Sequence, residues 1–194
     1  MLPTSARKIA RVLRILIAAA LVCNVILLYL VPVAVMSGSG SLLGGALDYL
    51  GTFVHPGEDD ILAAGAMASL LAWVWCWQEA YDLSLTLFLL VSGACTVVIL
   101  RQGLRVLDTI LRGCPFSPEN AVSLRRSAVC AFVIAAAALG RVIWGVAHYQ
   151  SLRPLATYNA LFVPIFTMAG LLCLVMSALF RQAAEMKAEN DLTI

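Results

Sequence analysis

Four long stretches almost free of charge limit this chain more than any other feature. Crossing a hydrocarbon core of about 30 Å takes about 20 mostly apolar residues in a helix. The runs at about 12–36, 83–107, 128–149 and 158–180 meet that requirement. The first carries only Arg14 near its start and Asn24 in its middle; Arg141 interrupts the third and Pro164 lies inside the fourth. Composition agrees: 62% of the 194 residues are hydrophobic and 12% are Asp, Glu, Lys or Arg, and the mean hydropathy is +0.93. Soluble domains run at about 45–50% apolar and about 25% charged, so the departure is towards lipid on both counts. The expected fold is all-α, one membrane domain over 1–194 built as an integral membrane four-helix bundle in the bilayer.

A fifth segment, 61–77 (ILAAGAMASLLAWVWCW), is uncharged and nearly long enough to cross. Charge placement decides its role. Arg7, Lys8, Arg11 and Arg14 open the chain; Arg101, Arg105, Arg112, Arg125 and Arg126 lie between the apolar core of the second run, 83–100, and the third run; Arg181 and Lys187 follow the fourth. The stretch 37–82 has no Lys or Arg but holds Asp48, Glu58, Asp59, Asp60, Glu79 and Asp82. With four spans, all three basic clusters face the cytoplasm and the acidic stretch faces out, as the positive-inside rule requires. A fifth crossing would send one basic cluster outward. Residues 61–77 therefore read as an outer-surface or re-entrant helix within an outer segment, 37–82.

The aromatic residues point the same way. Every Trp and Tyr (Trp73, Trp75, Trp77, Trp144, Tyr29, Tyr49, Tyr81, Tyr149 and Tyr158) falls in the outer half or outer loops of the four-span arrangement. Rings with one polar edge collect at that boundary. The first apolar run is about 22 residues, longer than the roughly 7–15 of a cleavable signal, so an uncleaved anchor is expected. Six cysteines occur with no CxxC pair and no Cys/His cluster, and inside apolar runs they read as small hydrophobes.

Between the second and third runs the chain reads Gly113-Cys114-Pro115-Phe116-Ser117-Pro118-Glu119-Asn120. Gly113 and Pro115 stop one helix. Ser117 then starts another: its hydroxyl is expected to accept an orphan N–H, with Pro118 at the first helical position and Glu119 on the positive end of the dipole. That helix carries Leu124, Arg125 and Arg126 up to the membrane surface, where arginines meet anionic headgroups. The cytoplasmic connection is thus 112–126, and the tail, 181–194, extends the last span. Arg181 and Glu185 form an i, i+4 pair in the weaker order, Arg first.

Two stretches, GCPFSPENAVSLRR (113–126) and ENDLTI (189–194), placed around four hydrophobic spans, resemble the bacterial membrane proteins grouped as domain of unknown function 2975. The pattern resembles G-x-P-F-x-x-E-N-x-x-x-L-R-R followed by a terminal E-N-D-L-T-[IV]. Gly113, Pro115, Phe116, Glu119, Asn120, Leu124, Arg125 and Arg126 match the first part, and Glu189 to Ile194 the second. The resemblance covers about 80–194, while 37–79 departs from it. It implies a bacterial inner-membrane protein and brings no catalytic residues. Such proteins are often encoded beside a small helix-turn-helix regulator, which by association implies a membrane-anchored regulator or sensor with that cytoplasmic partner. The residues expected to meet it are Phe116, Glu119, Asn120, Arg125, Arg126, Glu185, Glu189, Asn190 and Asp191.

Arg141 sits about eight residues, or ~12 Å of rise, below the outer end of its span. An intramembrane arginine costs at least ~2.5–3.5 kcal/mol, so it either joins Glu79 and Asp82 in a polar pocket or snorkels to headgroups; the two readings stand equal. Asn24 and Asn159 read as interhelical hydrogen-bonding groups, and Pro164 as a bend. His55-Pro-Gly-Glu58-Asp59-Asp60 fits neither an EF-hand nor a zinc spacing, so a solvated loop accounts for it better. No GxSxG, P-loop or GxGxxG in context occurs. The basic clusters hug membrane ends, which speaks against direct nucleic-acid binding. No enzyme, metal or cofactor is expected. An outward-facing ligand- or lipid-binding protein is the alternative to the regulator, a small transporter the weakest reading. Small residues at Ala135 to Ala138 and Gly140 permit close packing, including in a homo-oligomer.

Overall fold

The computed structural model describes residues 4–36, 70, 72–74, 80–113, 117–151, 153–156 and 158–191. These form four long helices: α1 (Thr4–Met36), α2 (Ala80–Leu111), α3 (Pro118–Tyr149) and α4 (Tyr158–Asp191), with a 3-10 turn at Arg153–Ala156. No strand occurs among the described residues, so the class is all-α. Each helix contains a stretch long and apolar enough to cross a membrane. Of the segment 61–77, residues 70 and 72–74 are helical and the others lie outside the described residues.

Exposure supports the membrane assignment independently of length. On α4, Leu161, Ile165, Met168, Leu172, Val175 and Leu179 recur every three or four residues and are each more than half exposed. A soluble monomer rarely shows an apolar patch beyond a few hundred Å², and lipid is the solvent in which such a stripe has no penalty. The protein is a multi-pass membrane protein.

The chain divides into two compact units, 1–23 with 94–194 and 24–93. In the first, α3 is the central element. Its buried residues include Ala121, Ala128, Ala135 and Val142, spaced by seven, and Ala131, Ala138 and Gly145, spaced by seven. A seven-residue repeat of small side chains keeps one seam facing a neighbour and lets backbones approach closely. Helix α4 packs against α3. The closest approach is at Gly170, where an added Cβ would lie 3.0 Å from the Phe132 ring. Gly145 meets Pro154 of the 3-10 turn in the same manner, at 3.3 Å. At the end of α3, Gln150 takes a left-handed φ of 49°, and its Nε2 donates to the Ala147 carbonyl at 3.0 Å, satisfying an acceptor the helix end would orphan. Cys95 of α2 and Cys130 of α3, distant in sequence, are neighbours, and both are free thiols.

In the second unit Thr86 and Phe88 are buried on α2, and Leu30 and Pro32 on α1. The Leu28 side chain lies over Gly93, leaving no room for a Cβ without moving. The hydrogen bond expected of Asn24 is not found: its Oδ1 has no partner among the described residues. Pro164 lies inside α4, which continues past it as one helix.

Candidate functional site

Helices α2, α3 and α4 contain 32, 32 and 34 residues, or about 48–51 Å at 1.5 Å per residue. That is well over the roughly 30 Å of hydrocarbon. The surplus lies at one end. Residues 101–111 of α2 lead into the turn from which residues 118–127 of α3 emerge. Residues 181–191 of α4 belong at the same end, because Ser177 Oγ donates to the Ala121 carbonyl at 2.7 Å. Three helices therefore carry about 15 Å of structure beyond their apolar stretches, and nearly all the charged side chains of 94–194 are on it.

Local chemistry builds this basic end. Gly113 ends α2 with φ 82°, a left-handed conformation glycine reaches without Cβ strain. Its N–H donates to the Ile110 carbonyl at 3.1 Å, and Arg112 N–H donates to Asp108 at 3.0 Å. Ser117 stands at the N-cap of α3 in extended conformation with Pro118 following, as expected. The expected side-chain cap is a different matter, because Ser117 makes no cap hydrogen bond and its buried Oγ has no partner among the described residues. The backbone closes the turn instead: Asn120 N–H donates to the Ser117 carbonyl at 3.0 Å.

One turn on, Asn120 is 1% exposed and joins the two helices. Its Nδ2 donates to Thr109 Oγ1 at 2.7 Å. The single Thr109 hydroxyl proton can serve either the Val106 carbonyl, 2.7 Å away, or Asn120 Oδ1, at 2.9 Å. Above this clamp the ends of α2 and α3 enclose a cleft of about 530 Å³. Arg105 and Asp108 line it from α2 and Arg112 from just past its end; Glu119, Ser123 and Arg126 line it from α3. Asp108 is engaged from behind by Arg14 Nε at 3.1 Å. None of Arg105, Arg112 and Arg126 is held in an ion pair with another described residue.

The residues singled out in the sequence fall into three groups. Glu119, Asn120 and Arg126 come together on the cleft, with Asn120 turned inward as the clamp. Arg125 is exposed on α3, and Glu185 and Glu189 are exposed on α4; Arg181 Nε meets Glu185 Oε1 at 2.9 Å. Phe116, Glu79 and the side chains of Asp82, Asn190 and Asp191 lie outside the described residues, and with them the pocket expected around Arg141, which is itself partly buried on α3. Arg105 and Thr109 were not among the expected site residues, and Arg112 was expected only as the first residue of the connection 112–126. Arg105 and Arg112 are spaced by seven, and both line the same cleft as Arg126. Among the described residues no three His, Cys, Asp or Glu side chains gather.

These observations define an all-α, multi-pass membrane protein with a charged, cleft-bearing body at one end. The family model described as "Protein of unknown function (DUF2975)" matches residues 66–194, and the chain belongs to that family. The match begins inside the segment 61–77, so the family reaches further towards the N-terminus than the 80–194 that the motifs cover. Searches of curated proteins and of solved structures each find no match.

Proposed function

We propose that this is a non-enzymatic regulator anchored in a bacterial inner membrane, both ends cytoplasmic, which holds a small helix-turn-helix transcription factor at the membrane. The observation that carries it is α4. The helix runs unbroken to Asp191, about 16 Å past its apolar stretch at Phe180. Arg181, Glu185, Lys187 and Glu189 are all exposed on that extension. A helix stabilised beyond the bilayer, with both charge signs and little apolar surface, suits a polar protein partner. The identity of that partner rests on the family resemblance rather than on geometry.

The test is affinity purification in mild detergent from the native host, with mass spectrometry of the co-eluting proteins. Stoichiometric recovery of a small helix-turn-helix protein is expected, with loss of it when the chain is stopped after Arg181. The truncated protein keeps the Ser177–Ala121 contact and should remain folded. Partner retention by the truncated chain, or no such partner in several detergents, would overturn the reading.

A further inference from the structure

We propose that the cleft between α2 and α3 binds a phosphate-bearing anion through Arg105, Arg112 and Arg126. Guanidinium groups are planar forks of donors matched to phosphate oxygens, and two or three of them converging give charge-assisted bonds from several directions. Here three arginines converge on one concavity of about 530 Å³. That volume lies within the range of small-molecule sites, about 300–1,000 Å³, and holds a phosphate together with a small polar group esterified to it.

The acidic residues of the cleft support this. Asp108 would oppose an anion, but Arg14, outside the lining, pairs with its carboxylate. Counting Arg14, four positive charges stand against Asp108 and Glu119. Glu119 is exposed in the first turn of α3, where the helix dipole already offsets its charge. Ser123 adds a hydroxyl within the lining. Pro118, Glu119 and Asn120, the first turn of α3, are part of the lining, so the positive end of that helix's dipole lies at the cleft. The Thr109–Asn120 clamp holds the two walls together without using any arginine.

Position gives two sources for such an anion. Arg105 is five residues, about 8 Å, beyond Leu100 at the end of the apolar stretch of α2, so the cleft is at headgroup depth and also open to water. A phospholipid headgroup and a soluble phosphorylated metabolite share the recognised chemistry. The proposal does not require the protein partner above.

The test uses the full-length protein in phosphatidylcholine nanodiscs at fixed physiological salt. Thermal unfolding is followed while glycerol 3-phosphate, or short-chain phosphatidylglycerol, is titrated in. Short-chain phosphatidylcholine and Lys8→Gln, an exposed cation elsewhere on the basic end, are controls. A saturable upward shift with at least one anionic probe is expected. Arg112→Gln should weaken the apparent affinity about tenfold or more, the scale of a charge-assisted bond, and Arg112→Lys less. The triple Arg105→Gln, Arg112→Gln, Arg126→Gln variant should abolish the shift. Arg14→Gln should weaken binding by uncovering Asp108, and adding Asp108→Asn should restore it. A response to glycerol 3-phosphate assigns a soluble ligand, and one to phosphatidylglycerol alone assigns a lipid. No shift with either probe overturns the proposal, as does a shift of equal size in the triple variant.

Discussion

Two glycines on adjacent helices give opposite expected outcomes for the same substitution. Gly140 on α3 is exposed, and a Cβ there meets nothing within 4 Å. Gly140→Ala should therefore show only the backbone effect, a gain of about 0.5–1 kcal/mol from restricting the unfolded chain. Gly170 on α4 would gain the same amount. Its Cβ, however, lies 3.0 Å from Cε1 and Cζ of Phe132 and 3.2 Å from Cδ1. Three ring atoms cannot all retreat by a torsion at the tip of a flexible chain, so either the ring or the helix must shift. Overpacking of this kind costs about 1–3 kcal/mol, which outweighs the backbone gain. Gly170→Ala should thus be destabilised by roughly 0–2.5 kcal/mol relative to the parent, and by about 1–3 kcal/mol relative to Gly140→Ala. Reversible unfolding in mixed micelles, followed by helicity, measures both. Equal stabilisation of the two variants would refute the reasoning, since it would mean that α3 and α4 do not close on each other through Phe132. Restoring Gly170→Ala by adding Phe132→Leu would confirm that the ring is the obstacle.

Other substitutions probe the basic end. Ser117→Ala should change stability by less than about 0.5 kcal/mol, against the roughly 1 kcal/mol of a working N-cap, because its hydroxyl makes no cap bond; a full cap-sized loss in the same unfolding assay would contradict that geometry. Gly113→Ala should cost about 1–2 kcal/mol through its positive φ alone, since a Cβ there has open space, and Gly113→Asn should recover part of it. A double-mutant cycle on Thr109→Val and Asn120→Leu should give a coupling of about 0.5–1.5 kcal/mol, and a value near zero would deny the clamp. Copper–phenanthroline oxidation should join Cys95 to Cys130 within one chain, seen as a mobility shift that either Cys→Ala variant removes.

How much of this was legible in the sequence depends on the length over which each signal repeats. Four apolar runs and three basic clusters are long, redundant patterns, so the four long helices among the described residues followed directly. Helix ends were harder. The membrane span was expected from 128 and the helix leading into it from Ser117 and Pro118, and α3 does run from Pro118 through the connection into the span as one helix. Pro118 and Glu119 marked the start correctly. The Ser117 hydroxyl did not behave as its position suggests, a choice of rotamer that no sequence spacing encodes. The cleft was half visible: Arg126, Glu119 and Asn120 stood out through the family resemblance, but Asn120 was read as facing a partner when it turns inward to Thr109. Arg105 and Arg112 read as part of a charge cluster, and only the pairing of α2 with α3 shows which arginines share a concavity.

Orientation is the remaining step that charge alone argues, and it admits a direct measurement. The basic end of 94–194 carries Arg101, Arg105, Arg112, Arg125, Arg126, Arg181 and Lys187, while Arg141 and Arg153 are the basic residues towards the other end. Such an excess in short connections favours insertion with the basic side inward, and the sequence between 37 and 82 holds no Lys or Arg to oppose it. In a cysteine-free background, Ala147→Cys, exposed near the end of α3, should react with an impermeant maleimide on intact cells. Lys187→Cys, exposed on the extension of α4, should react only after lysis. The reverse pattern would place the α4 extension outside the cell, beyond reach of a transcription factor, and would end the regulator reading. It would leave the anion cleft standing, because three arginines converge there whichever side of the membrane they face.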